Sequence, residues 1–241
     1  MCQVGHAQPE SLIFAPLWCH YGETATGGHM PYEPTDLVTT EQELRNIVPT
    51  PPNGTQDVKI IDHIDSHCRV WIERSPFLVM TTSDADGRLD CSPKGDPAGF
   101  VKVLDDKTLA IPDRPGNRRF DSFLNIFQTG SIGLIFFVPN RNETVRVNGK
   151  AELVHDLALR ESMAIKGRVP ELAVLVRVEE AFYHCGKAII RSGLWTPEKA
   201  APTEGLPTYA EANVDHTGRG DRLEDVTRMF EDNEKYRLYD D

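Results

Sequence analysis

The chain has 241 residues, of which 39% are hydrophobic and 26% are charged, a composition typical of a soluble globular protein with one ample core. Its formal net charge of −11 opposes binding to nucleic acid or to an anionic membrane surface, so any phosphate site must be local. The five cysteines are scattered without a CxxC pair, which argues against a zinc ribbon or a disulfide framework. We therefore expect a cytoplasmic protein with neither nucleic-acid nor membrane partners.

The two ends of the chain are predicted to lie outside the main domain. Residues 1–38 are rich in Gly, Pro and His without sustained periodicity, and their apolar run is broken by Pro16, which favours neither a signal peptide nor a membrane span. We place the main domain at residues 39–199 and a tail at residues 200–241. The tail ends in a predicted amphipathic helix with an apolar face of Leu223, Val226, Met229 and Phe230.

Two helices are predicted before the first strand. Thr40 followed by Glu43 forms a capping-box pattern that begins a short helix. A second helix is predicted over residues 57–73, because Ile60, Ile61, Ile64 and Trp71 recur at helical spacing. Ser75-Pro76 would end this second helix.

A metal site on the second helix is one possible interpretation of its histidines. His63 and His67 lie four residues apart next to Cys68, a spacing that could bind a metal. A third ligand at a suitable distance is not evident in the sequence. The pattern therefore favours an ordinary helix surface or packed imidazoles.

From residue 77 the hydrophobic period changes to two. The stretch FLVMTTSDADGRLDCSP predicts a hairpin that turns at Asp86-Gly87. Further strands are predicted for TLAIP, SIGLIFFVP, ETVRVNGKAELVH and LAVLVRVEEAFYH, which gives about six. Between them, GNRRFDSFLNIF predicts an amphipathic helix that begins at Gly116-Asn117. Short strands with tight turns and few helices favour a mainly β antiparallel barrel or sandwich.

Three arginines, Arg114, Arg118 and Arg119, lie within six residues of this acidic chain. A helix beginning at Asn117 would put Arg118 and Arg119 at its N-terminus, where backbone N–H groups and guanidinium groups bind phosphate. The preceding stretch Ser92-Pro93-Lys94-Gly95 would add a hydroxyl and a cation. A phosphate monoester is the ligand that matches this set best.

A network of surface ion pairs is the alternative explanation of the arginines. Asp113 and Asp121 lie within reach along the sequence, and such pairs are common and weak. Composition alone does not decide between a phosphate site and a solvated loop.

Four stretches of the sequence, taken in order, favour the phosphate site over the ion pairs. They are SPKGDPAGFV, AIPDRPGNRR, VRVNGKAELV and FYHCGKAIIRSGLW. They resemble the pyridoxamine 5'-phosphate oxidase-related FMN-binding split-barrel family, most closely its bacterial branch with SPRGDPPGFV and IPDRPGNRR signatures. The resemblance covers residues from about 40 to 199. It implies a six-stranded antiparallel split β-barrel and a homodimer with one FMN in each of two clefts at the subunit interface.

The resemblance also implies which residues hold FMN. Contacts to the phosphate and ribityl chain are expected from Ser92, Pro93, Lys94, Asn117, Arg118 and Arg119. The isoalloxazine edge is expected against the backbone of Ile111, Pro112 and Asp113. Thr144 is expected to approach the flavin of the partner subunit, and Arg191 and Trp195 are the candidates for an Arg and a Trp near the ring.

The function implied is that of an FMN-dependent oxidoreductase, with hydride or electron transfer through flavin N5 and a small, planar conjugated or aromatic substrate. The oxidases of vitamin B6 carry an Arg-x-His element after their Trp, whereas Trp195 is followed here by TPEKAAP, so vitamin B6 oxidation is not expected. No catalytic side chain is assigned and no metal is expected. The alternative function is a non-catalytic protein that binds or stores flavin.

Overall fold

The computed structural model describes residues 31–50 and 58–240, which fall into two compact units divided between residues 52 and 53. The described part of the first unit contains helix α1, Glu41–Ile47. Its predicted capping box is confirmed, because the Thr40 hydroxyl accepts a hydrogen bond from the N–H of Glu43 and the Glu43 carboxylate accepts one from the N–H of Thr40. Most of the extension at residues 1–38 lies outside the described residues, and the limits 39–199 and 200–241 stay predictions.

The second unit is built on one antiparallel sheet, which confirms the mainly β fold with helices. Its order is β2-β1-β5-β6-β7-β4-β3, with β2 and β3 at the two edges. The described residues of this unit form seven strands rather than six, because two residues after the first hairpin pair with β4. The strands are β1 Phe77–Ser83, β2 Leu89–Gly95, β3 Lys102–Val103, β4 Thr108–Pro112, β5 Ser131–Phe137, β6 Thr144–Val154 and β7 Ala173–His184.

Six α-helices accompany the described part of this sheet. They are α2 Ser66–Arg74, α3 Asp121–Thr129, α4 Leu157–Ser162, α5 Lys187–Ser192, α6 Tyr209–Thr217 and α7 Leu223–Tyr236. Helix α7 coincides with the predicted terminal helix. On its apolar side Val226 is buried, and the ring centre of Phe230 lies 4.6 Å from that of Tyr209 on α6. Within residues 31–50 and 58–240, no helix is long and apolar enough to cross a membrane.

Helix α2 is shorter than predicted and begins at Ser66 rather than at residue 57. Asp65 fixes its first turn, because the carboxylate accepts a hydrogen bond from the N–H of Cys68. The preceding residues are used differently: the N–H and C=O of Ile61 pair with Ala181 of β7 at 3.0 and 2.7 Å. Ile61, one of the isoleucines that suggested a longer helix, therefore belongs to a bridge onto the sheet.

His63 lies before this helix and His67 lies within it, and the two do not form part of a metal centre in the part of the chain that is described. His63 faces Asp62 at 3.0 Å, and no group of three or more potential ligands occurs among the described residues. Burial raises the pKa of the Cys68 thiol to about 12, so it stays protonated at neutral pH. Cys68 therefore acts as a small core residue.

The core lies between the sheet and helices α2 and α3. Burial alternates along β1 and β5, as a period of two requires, whereas β4 is buried along its whole length. The residues with no exposed surface include Ile72, Leu78, Met80, Leu109, Phe136, Val145, Val147 and Val176. This core fixes the β1–β2 hairpin and β4, the two parts of the sheet from which the candidate site is built.

Helix α3 is tied to the β1–β2 hairpin by side-chain hydrogen bonds. The amide of Asn125 donates to the hydroxyl of Thr82 at 3.1 Å, and the hydroxyl of Thr129 donates to the carbonyl of Ser83 at 2.8 Å. The hydroxyl of Ser122 donates to the carboxylate of Asp90 on β2. The loop that leads into α3 is consequently held beside the end of β2.

Asp96 carries a buried carboxylate, with a side chain only 1% exposed, and joins three further segments. Its Oδ2 lies 2.6 Å from Nε of Arg114, and its Oδ1 accepts a hydrogen bond from the phenol of Tyr239 at 2.7 Å. Arg114 also donates to the carbonyl of Met163, the residue that ends α4, at 2.9 Å. One carboxylate thereby connects the end of β2, the loop after β4, α4 and the last described residues.

Replacing Arg114 by Ala is expected to destabilise the protein by about 3 kcal/mol, because it leaves a buried carboxylate without its cation. The matched control is Arg119→Ala, which removes an arginine from an exposed pair and should leave the stability almost unchanged. Urea unfolding followed by circular dichroism measures both. Equal stability of the two variants would contradict a structural role for the Asp96–Arg114 pair.

Candidate functional site

A cleft of about 930 Å³ opens where four segments of the second unit meet. It is lined by residues 90–94 of β2, residues 113–123 from the end of β4 into α3, residues 167–172 before β7, and residues 239–240. Seven of the residues expected to hold FMN lie in this lining, namely Ser92, Pro93, Lys94, Asp113, Asn117, Arg118 and Arg119. Residues distant in the sequence are thus brought together as a binding site requires.

Strand β2 supplies a hydroxyl and a cation from one face. Ser92 and Lys94 are two residues apart and therefore lie on the same side of the strand, opposite Met80 and Leu78 of β1. The ammonium of Lys94 is 6.0 Å from the ring centre of Phe123 on α3. Pro93 between them is tolerated because β2 is an edge strand, where a missing N–H breaks no ladder.

The arginines precede α3 rather than forming its first turn, which corrects the predicted start of the helix at Gly116-Asn117. The side-chain oxygen of Asn117 accepts a hydrogen bond from the N–H of Arg119 at 3.1 Å, a local turn that competes with helix formation. The helix begins at Asp121, after Phe120. Arg118 and Arg119 are therefore displayed on a loop and are both exposed.

Backbone strain is concentrated in this loop. Arg118 and Phe120 have φ angles of 53° and 60°, in the left-handed region that side-chain-bearing residues avoid. Such residues cost on the order of 1–3 kcal/mol each and cluster at functional sites. Phe120 is the N-cap residue of α3, and its side chain forms no capping hydrogen bond. The Phe120 side chain therefore does not satisfy the backbone N–H groups at the positive end of the helix.

Two of the three arginines, Arg114 and Arg119, have different electrostatic surroundings. Arg114 is 17% exposed and is committed to the buried Asp96. Arg119 is 71% exposed and pairs with Asp121 at 2.7 Å, a contact that raises the pKa of its guanidinium. This second pair is the surface ion pair that the sequence offered as an alternative, yet an exposed pair of this kind contributes little to stability because solvent screens it. A phosphate dianion can displace it.

Five residues expected near FMN do not line the cleft of a single chain. Ile111 and Pro112 are buried in β4, directly before Asp113. Thr144 is buried at the start of β6, and its hydroxyl has no hydrogen-bond partner among the described residues. Arg191 is exposed on α5.

Trp195, the last of these five, donates its indole N–H to the carbonyl of Arg141 at 2.7 Å and anchors the segment after α5 to the loop before β6. Contacts of Thr144, Arg191 and Trp195 with a flavin stay predictions, and that of Thr144 concerns a partner subunit.

Several parts of the cleft lining were missed by reasoning from the sequence, among them residues 167–172 before β7. Phe120 and Phe123 stack with their ring centres 5.6 Å apart and give the cleft an apolar surface, although the sequence suggested only a helix face. Tyr239 and Asp240 reach the cleft from a tail 143 residues beyond Asp96. No pattern of neighbouring residues in the sequence predicts such a contact.

Comparison with protein families gives one match. The family model described as pyridoxamine 5'-phosphate oxidase matches residues 64–185, just over half of the chain. Curated proteins give no match.

Several solved structures are similar at low scores. HupZ from Group A Streptococcus is 25% identical over 50% of this chain and 93% of its own, with a TM-score of 0.40. A protein from Clostridium acetobutylicum related to general stress protein 26 of B. subtilis is 18% identical over 49% and 86%, with a TM-score of 0.36. An FMN-binding protein from Syntrophomonas wolfei is 9% identical over 48% and 86%, also with a TM-score of 0.36. The match of the family model shows that the chain belongs to the pyridoxamine 5'-phosphate oxidase family.

Proposed function

We propose that the protein is an FMN-dependent oxidoreductase that acts on a small, planar conjugated or aromatic substrate. The observation that carries the proposal is the convergence of Ser92, Lys94, Arg118 and Arg119 on one cleft in a member of this family. Vitamin B6 oxidation is not part of the proposal, because the Arg-x-His element is absent after Trp195.

The residues present fit the phosphate of FMN. A hydroxyl, an ammonium and two guanidinium groups lie around the cleft, next to the N-terminus of α3. This donor set matches the charge and the acceptor oxygens of a phosphate monoester. The volume of about 930 Å³ lies within the range of small-molecule sites, which is roughly 300–1,000 Å³.

The chain supplies position and shape, whereas the reactive chemistry would belong to the cofactor. FMN, when bound, supplies hydride or electron transfer through its N5 atom. Ser92, Lys94, Arg118 and Arg119 would bind its phosphate and ribityl chain. The buried backbone of β4 up to Asp113 would form a rigid edge for the ring, since the N–H of Asp113 is already bonded to the carbonyl of Leu172 at 2.9 Å.

We also propose that the active form is a homodimer. Leu124 and Phe127 are exposed by 52% and 73% on the outer side of α3, the helix whose first turn lines the cleft. Large apolar side chains grouped on an exposed face commonly mark an interface, and two-fold dimers are the most frequent closed assembly. A second copy on this face would complete the cleft with residues such as Thr144.

The first test is the cofactor itself. The purified protein should be yellow and should release FMN rather than riboflavin on denaturation. The double variant Arg118→Ala with Arg119→Ala should weaken FMN binding by several kcal/mol in fluorescence titration, since each charge-assisted contact is worth roughly 1.5–3 kcal/mol.

The control for this variant removes two exposed arginines of α7, Arg222 and Arg228, and should leave FMN affinity unchanged. A colourless protein that cannot be reconstituted with FMN would contradict the proposal. Unchanged affinity in the Arg118/Arg119 double variant would restore the explanation by surface ion pairs.

Turnover separates the enzyme from a protein that only stores flavin. The FMN-loaded protein should oxidise NADH or NADPH repeatedly with a dye acceptor such as 2,6-dichlorophenolindophenol. The Arg118/Arg119 double variant should lose this activity in parallel with its flavin, whereas the Arg222/Arg228 control should keep it. Oxidation of no more than one equivalent of NADH or NADPH per FMN, with every acceptor tried, would favour flavin storage.

Sedimentation tests the assembly. The protein should sediment at about twice the chain mass of 27.0 kDa at micromolar concentration. Phe127→Asp should shift it towards the single-chain mass, because burying a carboxylate at an apolar interface is costly. The control Leu157→Asp changes a leucine that is 57% exposed on α4 and should leave the dimer intact. A single-chain species with full FMN occupancy would contradict an interface site.

A further inference from the structure

We propose that Arg168 is a second anion-binding position of the cleft, that it binds the carboxylate of a small ligand, and that Asp240 occupies it when the ligand is absent. The inference rests on the proposed function only for the role of the cleft as a ligand site. It concerns a residue distant in the sequence from the arginines expected to hold phosphate.

Arg168 is displayed on a tight, ordered turn. The backbones of Ile165 and Arg168 are hydrogen-bonded to each other at 3.0 and 2.8 Å. Lys166 and Gly167 between them have φ angles of 49° and 77°. The turn places Arg168 in the cleft lining with its side chain 64% exposed. A guanidinium held in this way is available to a ligand in the cleft.

The carboxylate of Asp240 stands where the carboxylate of a ligand would bind. Its Oδ1 lies 2.7 Å from Nη2 of Arg168 and is itself buried. Despite the short distance, no N–H of the guanidinium points at this oxygen, which accepts no hydrogen bond from the described residues. A ligand carboxylate that accepts two parallel hydrogen bonds would bind Arg168 better than Asp240 does.

Tyr239 keeps this internal competitor close without depending on Arg168. Its phenol donates to the buried Asp96, a hydrogen bond that raises the pKa of Tyr239, and the ammonium of Lys166 lies 4.9 Å from its ring centre. Asp240 can therefore leave Arg168 while its neighbour stays bound. A tethered competitor acts at high effective concentration, so it raises the apparent dissociation constant of ligands that need Arg168.

The carboxylates around Arg168 limit which ligands can bind there. Glu171 and Asp240 are the carboxylates among residues 167–172 and 239–240 of the lining, and Arg168 is the cation of these two segments. A neutral ligand gains nothing by displacing Asp240, whereas a carboxylate gains the charge-assisted contact. Asp240 therefore prevents weakly binding anions from binding to Arg168.

The test uses 4-fluorobenzoate as a planar aromatic carboxylate and 4-fluorobenzamide as its neutral counterpart, with binding followed by fluorine NMR. Asp240→Asn should bind 4-fluorobenzoate about fivefold more tightly than the unaltered chain, corresponding to the loss of a competing contact of about 1 kcal/mol. Arg168→Gln should lose this binding, and Arg168→Lys should retain part of it. Affinity for 4-fluorobenzamide should be the same in all of them.

Glu224→Gln is the matched control, since Glu224 pairs with Arg222 at 2.8 Å on an exposed face outside the cleft lining, and it should not change binding. Melting temperatures establish that the variants are folded. Equal affinity for 4-fluorobenzoate in the unaltered chain, Asp240→Asn and Arg168→Gln would overturn the proposal, as would equal tightening by Glu224→Gln. The titrations are run with and without FMN, so a failure to bind flavin contradicts the proposed function while the contrast between Asp240→Asn and Arg168→Gln still decides this inference.

Discussion

The carboxylate of Asp96 is the interaction on which the cleft depends. A charge with 1% of its side chain exposed is tolerated only when it is paired and hydrogen-bonded, and Arg114 and Tyr239 meet that requirement at 2.6 and 2.7 Å. Its two partners come from the loop after β4 and from the last described residues, and Arg114 reaches on to the end of α4. Segments with no sheet pairing to one another are therefore held around one cleft by a single buried charge.

The rest of the site is positioned by side chains that join α3 to the β1–β2 hairpin. The bonds from Ser122, Asn125 and Thr129 fix the helix to β2 and to the end of β1, while Phe120 stacks on Phe123 at its first turn. With both ends of the loop held, the left-handed conformations of Arg118 and Phe120 persist although they are unfavourable. The stability of the hairpin and helix thus maintains a strained loop that displays two arginines.

The sequence predicted the elements whose signals are local. The capping box at Thr40, the hairpin around Asp86-Gly87 and helix α7 each depend on residues close together in the chain. The errors arose where tertiary contacts compete with local pattern: Ile61 pairs with Ala181 instead of extending α2, and Asn117 forms a turn instead of starting α3. The additional strand, β3, is two residues long and is defined only by its partner β4. For the site, seven of the twelve residues expected to hold FMN line one cleft, but Tyr239 and Asp240 lie too far along the chain for any pattern to place them.

The acidity of the chain and its candidate anion site are reconciled by how deeply each arginine is paired. The side chains of Arg114 and Asp96 are 17% and 1% exposed. Those of Arg119 and Asp121 are 71% and 43% exposed, and those of Arg168 and Asp240 are 64% and 42% exposed. The cost of separating an ion pair rises with burial, since water replaces a lost partner only where it can reach. The first pair is therefore a permanent part of the fold, whereas the other two can exchange an internal carboxylate for that of a ligand or for a phosphate. The anion binding that we propose for this cleft is therefore compatible with an excess of acidic residues, which set the affinity that a ligand must exceed.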